Sequence, residues 1–320
     1  MEFILQNHSS YPREDASVEA IPPSVATRPA PTCGAGRRQI MLDAVREQER
    51  LGLHVLTDGQ LVWEDRLSSI VTAIDGVQLH PTGNLRAATY CPQLLVTAPL
   101  KRRHSVVSAD FLLVRQASER PIKPVLPGPY TLARACVTQD ASYTTLEDLA
   151  FAWGEIVAAE VADVAAAGAL FIQIEEPAIL LHPSDMRLLR RLLEPIWDAR
   201  GGAQLVLATY SGDATALYAQ LNSLPVDILA LDLASSSDLG ELIAHTGASK
   251  ELGLGLIDGC NPQPEQPSTL ARCIEKILKR YVLGVVHLLP SCGLHQLAPE
   301  RARHKLSLLT EARQLLVAAA

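Results

Sequence analysis

Aromatic residues are scarce: Phe, Trp and Tyr together make up 4% of the 320 residues. The core must therefore be built mainly from Leu, Val, Ile and Ala, within a hydrophobic fraction of 48% that is ample for a large interior. Long apolar runs are also missing. None reaches ~20 residues without a charge or a breaker, so no membrane span is expected. The opening Met1-Glu2-Phe3-Ile4-Leu5 has an early acid and too short an apolar run for a signal peptide. There is no concentrated basic face. Net charge is -7, and the one basic cluster, Lys101-Arg102-Arg103-His104, has the length of a solvated turn. Nucleic acid is thereby disfavoured as the main partner. Cysteines stand at 33, 91, 136, 260, 273 and 292 with no C-x-x-C pair. Disulfides are not expected, and a reducing cytoplasm is the expected compartment. No G-x-G-x-x-G follows the first strand, which argues against a doubly wound dinucleotide-binding sheet.

What is present is a rhythm of short β-rich runs and longer amphipathic ones. Strands are predicted at Phe3–Gln6, His54–Leu56, Leu94–Thr97, Ile122–Leu126, Leu170–Ile174, Gln204–Ala208, Asp227–Leu231, Glu251–Ile257 and Gly284–Leu288. Helices are predicted at Arg37–Leu51, Leu149–Ala167, Ala214–Leu221, Ser237–His245, Pro267–Tyr281 and Pro299–Ala318. Strands apolar on both faces and separated by helices imply a parallel sheet. About eight such units in one chain favour a closed barrel, so the expected fold is α/β, a single (β/α)8 TIM barrel spanning residues 1-320. The Pro-, Ala- and Ser-rich segment 12-33 reads as a long loop over the site, and 76-101 as a small β excursion. No internal repeat or domain boundary is visible.

In such a barrel the residues just after each strand face the site. They read His8-Ser9-Ser10-Tyr11-Pro12-Arg13, Thr57-Asp58-Gly59-Gln60, Gly128-Pro129-Tyr130-Thr131, Glu175-Glu176-Pro177, Thr209-Tyr210-Ser211-Gly212-Asp213, Asp232, Asp258-Gly259-Cys260-Asn261 and Pro290-Ser291-Cys292-Gly293-Leu294-His295. Each has a plainer reading. Glu175 can accept hydrogen bonds from neighbouring loops, Glu176 can cap a helix, Asp258 can close an Asx turn, and Cys292 can be a buried, inert thiol. Their convergence on one face favours function, because loops on a rigid barrel carry it.

Several of these segments resemble the cobalamin-independent methionine synthase family, in its catalytic C-terminal-type barrel and short single-domain branch. Phe171-Ile172-Gln173-Ile174-Glu175-Glu176-Pro177-Ala178 is similar to its Ile-Gln-(Asp/Glu)-Glu-Pro-Ala segment, and Pro290-Ser291-Cys292-Gly293-Leu294 to its Pro-Asp-Cys-Gly-Leu segment. Ser9-Ser10-Tyr11-Pro12-Arg13 resembles its Gly-Ser-(Phe/Tyr)-Pro-Arg opening, and Thr57-Asp58-Gly59-Gln60 its (His/Asp)-Gly-Glu turn. Gly128-Pro129-Tyr130-Thr131 and Leu252-Gly253-Leu254-Gly255-Leu256-Ile257-Asp258 fit as well. The matches run in order from residue 9 to 294.

The resemblance implies methyl transfer from a folate or corrinoid donor (methyl-folate or methylcobalamin) to a homocysteine-like thiol. It also implies a zinc ion that keeps that sulfur as thiolate, and a corrinoid protein among the possible partners. It makes Glu175, Asp258 and Cys292 the catalytic candidates. Ser9, Ser10, Gln60 and Tyr210 are the substrate-binding candidates. The metal ligands would be Cys292 and Asp232, while the family's His-x-Cys pair falls on Leu207 and Thr209. Cys260 and His295 lie on neighbouring loops. Gln60 stands where the family has a Glu for the substrate amino group. Gly259-Cys260 and Arg134-Ala135 stand where larger members carry a catalytic His and the Asn-Trp that faces folate. These departures leave a second expectation: a divergent barrel, decarboxylase-like or non-catalytic, that acts on or binds another small molecule without zinc-dependent thiol chemistry.

Overall fold

Apolar strands that bury both faces need helices on one side and a filled axis on the other. The computed structural model describes residues 1–12, 34–61, 67–79 and 94–318 and has this arrangement. The chain runs β1 (Glu2–Leu5), α1 (Gly34–Arg50), α2 (Ser68–Val71), β2 (Ile74–Leu79), β3 (Leu94–Arg102), α3 (Ser108–Arg115), β4 (Val125–Pro127), α4 (Pro129–Arg134) and β5 (Cys136–Thr138). It continues α5 (Leu146–Ala166), β6 (Phe171–Glu175), α6 (Met186–Ala199), β7 (Gln204–Thr209), α7 (Tyr218–Leu221), β8 (Ile228–Asp232), α8 (Leu239–Thr246), β9 (Glu251–Ile257), α9 (Pro267–Ile277), β10 (Val285–Pro290) and α10 (Pro299–Ala318).

Seven strands form one parallel sheet in the order β1-β10-β9-β8-β7-β6-β4. Its two edges meet through the second predicted strand. Val55 bridges Gln6 after β1, and Leu56 bridges Ile122 just before β4. His54 N donates to Leu5 O at 2.8 Å and Lys123 N to Leu56 O at 2.7 Å, so a short seam completes the eighth position of a (β/α)8 barrel. The excursion is a separate three-stranded sheet, β2-β3-β5, whose third strand comes from beyond α4. The predicted strand Leu94–Thr97 belongs to this sheet and not to the barrel. Residues 80–93 of the excursion and the predicted loop beyond Pro12 lie outside the described residues.

Local chemistry explains the boundaries. α5 starts on a capping box, with Thr145 accepting from Asp148 N and Asp148 accepting from Thr145 N, and it ends at Gly168 with φ 92°. Pro267 opens α9 at the first turn, where a missing N–H costs nothing. The sequence reading omits α6. Its Met186, Leu189, Leu192, Leu193 and Ile196 make a buried helical stripe, but Pro195 sits inside it and normally ends a helix. The helix predicted over Ala214–Leu221 shrinks to a 3-10 turn and α7, because Asp213 turns the chain by accepting from Thr215 N.

Two apolar clusters hold the fold. The large one packs the helices on the outer faces of the strands and includes Leu205 and Leu207. The small one, Val206, Ala208, Ile228, Ala230 and Leu289 with Phe171, fills part of the axis. Gly253 leaves room for its strand neighbour: a Cβ there would stand 3.0 Å from Ala230 on β8. The remainder of the axis is polar, with Lys123, Gln6 and Gln173 fully buried together.

Candidate active site

Glu175 is the last residue of β6 and is buried at the barrel mouth. Its Oε2 accepts from the Tyr210 hydroxyl at 2.8 Å, and its Oε1 from Gln173 Nε2 at 3.2 Å. His8 Nδ1 lies 3.4 Å from Oε1, and the His8 and Tyr210 rings meet edge-to-face at 5.2 Å. The Tyr210 and Gln173 bonds fix the orientation of this carboxyl group.

The loop after β1 is stitched to its neighbours. Asn7 Nδ2 donates to Ser9 O at 2.9 Å, as does Thr57 Oγ1 at 2.7 Å. Ser9 Oγ lies 3.0 Å from His8 Nδ1, and Ser10 Oγ lies 2.8 Å from His295 Nδ1. A Cβ at Gly293 would overlap the Ser10 hydroxyl, so the loop after β10 presses directly on the loop after β1. Glu175, Tyr210, Ser9 and Ser10 are thus brought into one continuous set of contacts, with His8 at its centre.

Gln60 sits at φ 51° and Ser211 at φ 59°; both belong to loops that follow barrel strands. Such backbone costs of order 1–3 kcal/mol and gathers at binding sites. The Gln60 Oε1 is buried with no hydrogen-bond partner among the described residues. Beside it, burial pushes the Asp58 carboxyl up to about 6.

The other acids serve the scaffold. Glu176 is fully buried and accepts from Tyr130 N at 2.9 Å, Thr131 N at 2.7 Å and Thr131 Oγ1 at 2.6 Å. It clamps the loop after β4, and burial lifts its carboxyl to about 7 against those bonds. Asp232 Oδ2 accepts from Ser211 N at 3.0 Å, while Oδ1 accepts from Ala234 N and Ser235 N. Asp258 Oδ1 accepts from Cys260 N at 2.9 Å, an Asx turn, and Asp258 N donates to Glu265 Oε1 at 2.9 Å. That same oxygen receives the buried Lys305 at 2.7 Å. Cys292 is buried, with its Sγ 3.6 Å from Cys260 Sγ.

The donors at the positions implied for zinc do not fit it. Leu207 has no donor atom and packs in the outer core, and Thr209, two residues on, shares that side of β7. Asp232 holds three backbone amides. Among the described residues no group of three or more His, Cys, Asp or Glu is placed to hold a metal.

Lys123 and Gln173 have no role of their own in the sequence pattern, and Glu176, expected as a helix cap, holds the first turn of α4. One signal was available: Gln173 and Glu175, two apart on a strand, share a face.

A barrel with polar loops gathered at the C-terminal ends of its strands defines a ligand-binding α/β barrel. The chain belongs to the family described as the cobalamin-independent synthase catalytic domain, whose model matches residues 10–314. It is 28% identical over 274 residues to a methionine synthase of Thermococcus kodakarensis, covering 84% of this chain and 80% of that one. It is 27% identical over 271 residues to a methionine synthase of Saccharolobus solfataricus, covering 83% and 80%. Among solved structures, a B12-independent methionine synthase from Shewanella sp. W3-18-1, in complex with selenomethionine, superposes with a TM-score of 0.81 at 20% identity over 98% of both chains. A methyltransferase from Methanosarcina mazei gives 0.65 at 15% identity, over 98% of this chain and 93% of that one. The family's description leaves the expected methylcobalamin donor and corrinoid-protein partner without support. Among the described residues, no helix is long and apolar enough to cross a membrane.

Proposed function

We propose that this chain transfers a methyl group from a methyl-folate-type donor to the thiol of homocysteine. Membership of the cobalamin-independent synthase family and the methionine synthase relatives support the reaction class. The observation that carries the assignment to this face is Glu175, a buried carboxylate held by Tyr210 and Gln173 beside His8. A fixed anion at a barrel mouth suits the ammonium group of an amino-acid thiol, while the hydroxyls of Ser9 and Ser10 suit its carboxylate.

In the reaction the substrate sulfur attacks the methyl carbon. A C–S bond forms as the C–N bond of the donor breaks, the electron pair stays on the donor nitrogen, and overall the thiol proton ends there. The residues contribute orientation: Glu175 at the ammonium end, and Ser9 and Ser10 at the carboxylate end, beside the loop that carries Cys292. Holding two reactants in line can supply several kcal/mol, on the order of 7 or more for well-aligned pairs.

The test is methionine formation by purified protein from homocysteine and methyl-folate, with zinc added and with zinc withheld. Product above the level of Glu175→Gln and Cys292→Ala variants supports the proposal. No product above those variants under either condition rejects it.

A further inference from the structure

Lys123 lies between the closing bridge at Ile122 and β4, and its side chain is completely buried in the barrel axis. A buried ammonium is costly unless every N–H finds an acceptor. Here three oxygens surround it: Gln173 Oε1 at 2.6 Å, Gln6 Oε1 at 2.7 Å and Asn7 O at 3.1 Å. Three acceptors match the three donors of an ammonium group. The methyl-transfer scheme above gives this residue no task.

An amide side chain has one accepting end and one donating end. Lys123 takes the accepting end of Gln173, so its Nε2 is turned to the other side, where it donates to Glu175 Oε1 at 3.2 Å. The reversed amide would set its N–H₂ against the Lys123 donors and its oxygen against a carboxylate, losing both bonds. Among the described residues, Gln173, Tyr210 and His8 then hold the carboxylate.

We propose that Lys123 is a positioning residue for substrate recognition, acting through Gln173 to hold the Glu175 carboxylate ready for the ammonium group of an amino-acid thiol. This rests on the reading of Glu175 given above. Charge acts in the same direction as geometry. Burial lowers Lys123 to about 7, and the charge of Glu175 pulls it back up. By reciprocity a protonated Lys123 favours the ionised form of Glu175.

The experiment is isothermal titration of the full chain with methionine and with 4-(methylthio)butanoic acid, which has the same skeleton without the amine. Lys123→Met removes the anchor. Gln173→Met removes the link while leaving Lys123 two acceptors, and it carries the test if the first variant does not fold. In both, methionine affinity should fall about tenfold relative to the analogue, the size expected for a charge-assisted hydrogen bond. An equal loss for both ligands means a merely structural role and overturns the proposal. Unchanged methionine affinity in both variants also overturns it, while leaving the methyl-transfer reading standing. Wild-type protein that forms methionine yet prefers the analogue overturns the ammonium reading of Glu175, and the role of Lys123 with it.

Discussion

Gly128 lies directly against the carboxyl group of Glu176, so closely that a Cβ at this position would overlap it. The absence of a side chain lets Glu176 reach the amides of Tyr130 and Thr131 and hold the loop after β4. Gly128→Ala forces either the loop or the carboxylate to move. Overpacking of this kind costs about 1–3 kcal/mol. Thermal denaturation should show a fall of several degrees, and an unchanged midpoint would mean that the clamp does not stabilise the fold.

Tyr210→Phe removes one of the donors to Glu175 and keeps the ring against His8. A hydrogen bond to a charged group contributes about 1.5–3 kcal/mol, so KM for homocysteine should rise about tenfold or more. A variant with wild-type KM would separate Glu175 from substrate recognition.

Two buried groups give stability opposite slopes with pH. Glu176 goes from 4.5 to about 7 on folding, so the folded chain holds that proton more tightly. Its contribution is complete below pH 4.5 and is lost as pH rises through 7. Lys123 goes from 10.5 down to about 7, so its contribution is present above pH 10.5 and is lost as pH falls through 7. Denaturant titrations of wild type against Glu176→Gln should therefore show a difference that shrinks between pH 4.5 and 7. Against Lys123→Met the difference should grow from pH 7 to 10.5. Flat differences would mean that these groups titrate as they do in the unfolded chain.

The donor set around Cys292 and Asp232 predicts weak zinc binding. Protein equilibrated with zinc and then dialysed should retain well under one zinc per chain by elemental analysis. One tightly held zinc per chain would show that these positions do not define the metal chemistry.

The second half of the barrel was legible because β7, β8, β9 and β10 are apolar on both faces and regularly spaced. The seam was harder to read. Residues 54–56 pair through single bridges, and β4 carries Pro127 and follows Pro124, neither of which can donate to a ladder. In the site, Ser9, Ser10, Glu175 and Tyr210 were legible as polar residues just past strands. Lys123 was not. A lone lysine in an apolar run gives no sign of being buried, and its partners Gln6 and Gln173 lie 117 and 50 residues away. Asp258 and Asp232 have the right type and place, but only the structure shows both holding backbone amides.

The contact between Ser10 and His295 joins groups 285 residues apart. Chains are made from the N-terminus, so the loop that carries Ser10 is finished long before the loop that completes its surroundings exists. A ribosome-bound chain that ends before β10 can hold Glu175, Tyr210 and Lys123, but it has no Gly293 to press on Ser10 and no His295 to meet it. The site therefore closes only once β10 and the loop after it have been made, and a chain cut short of that point leaves the barrel open beside β1.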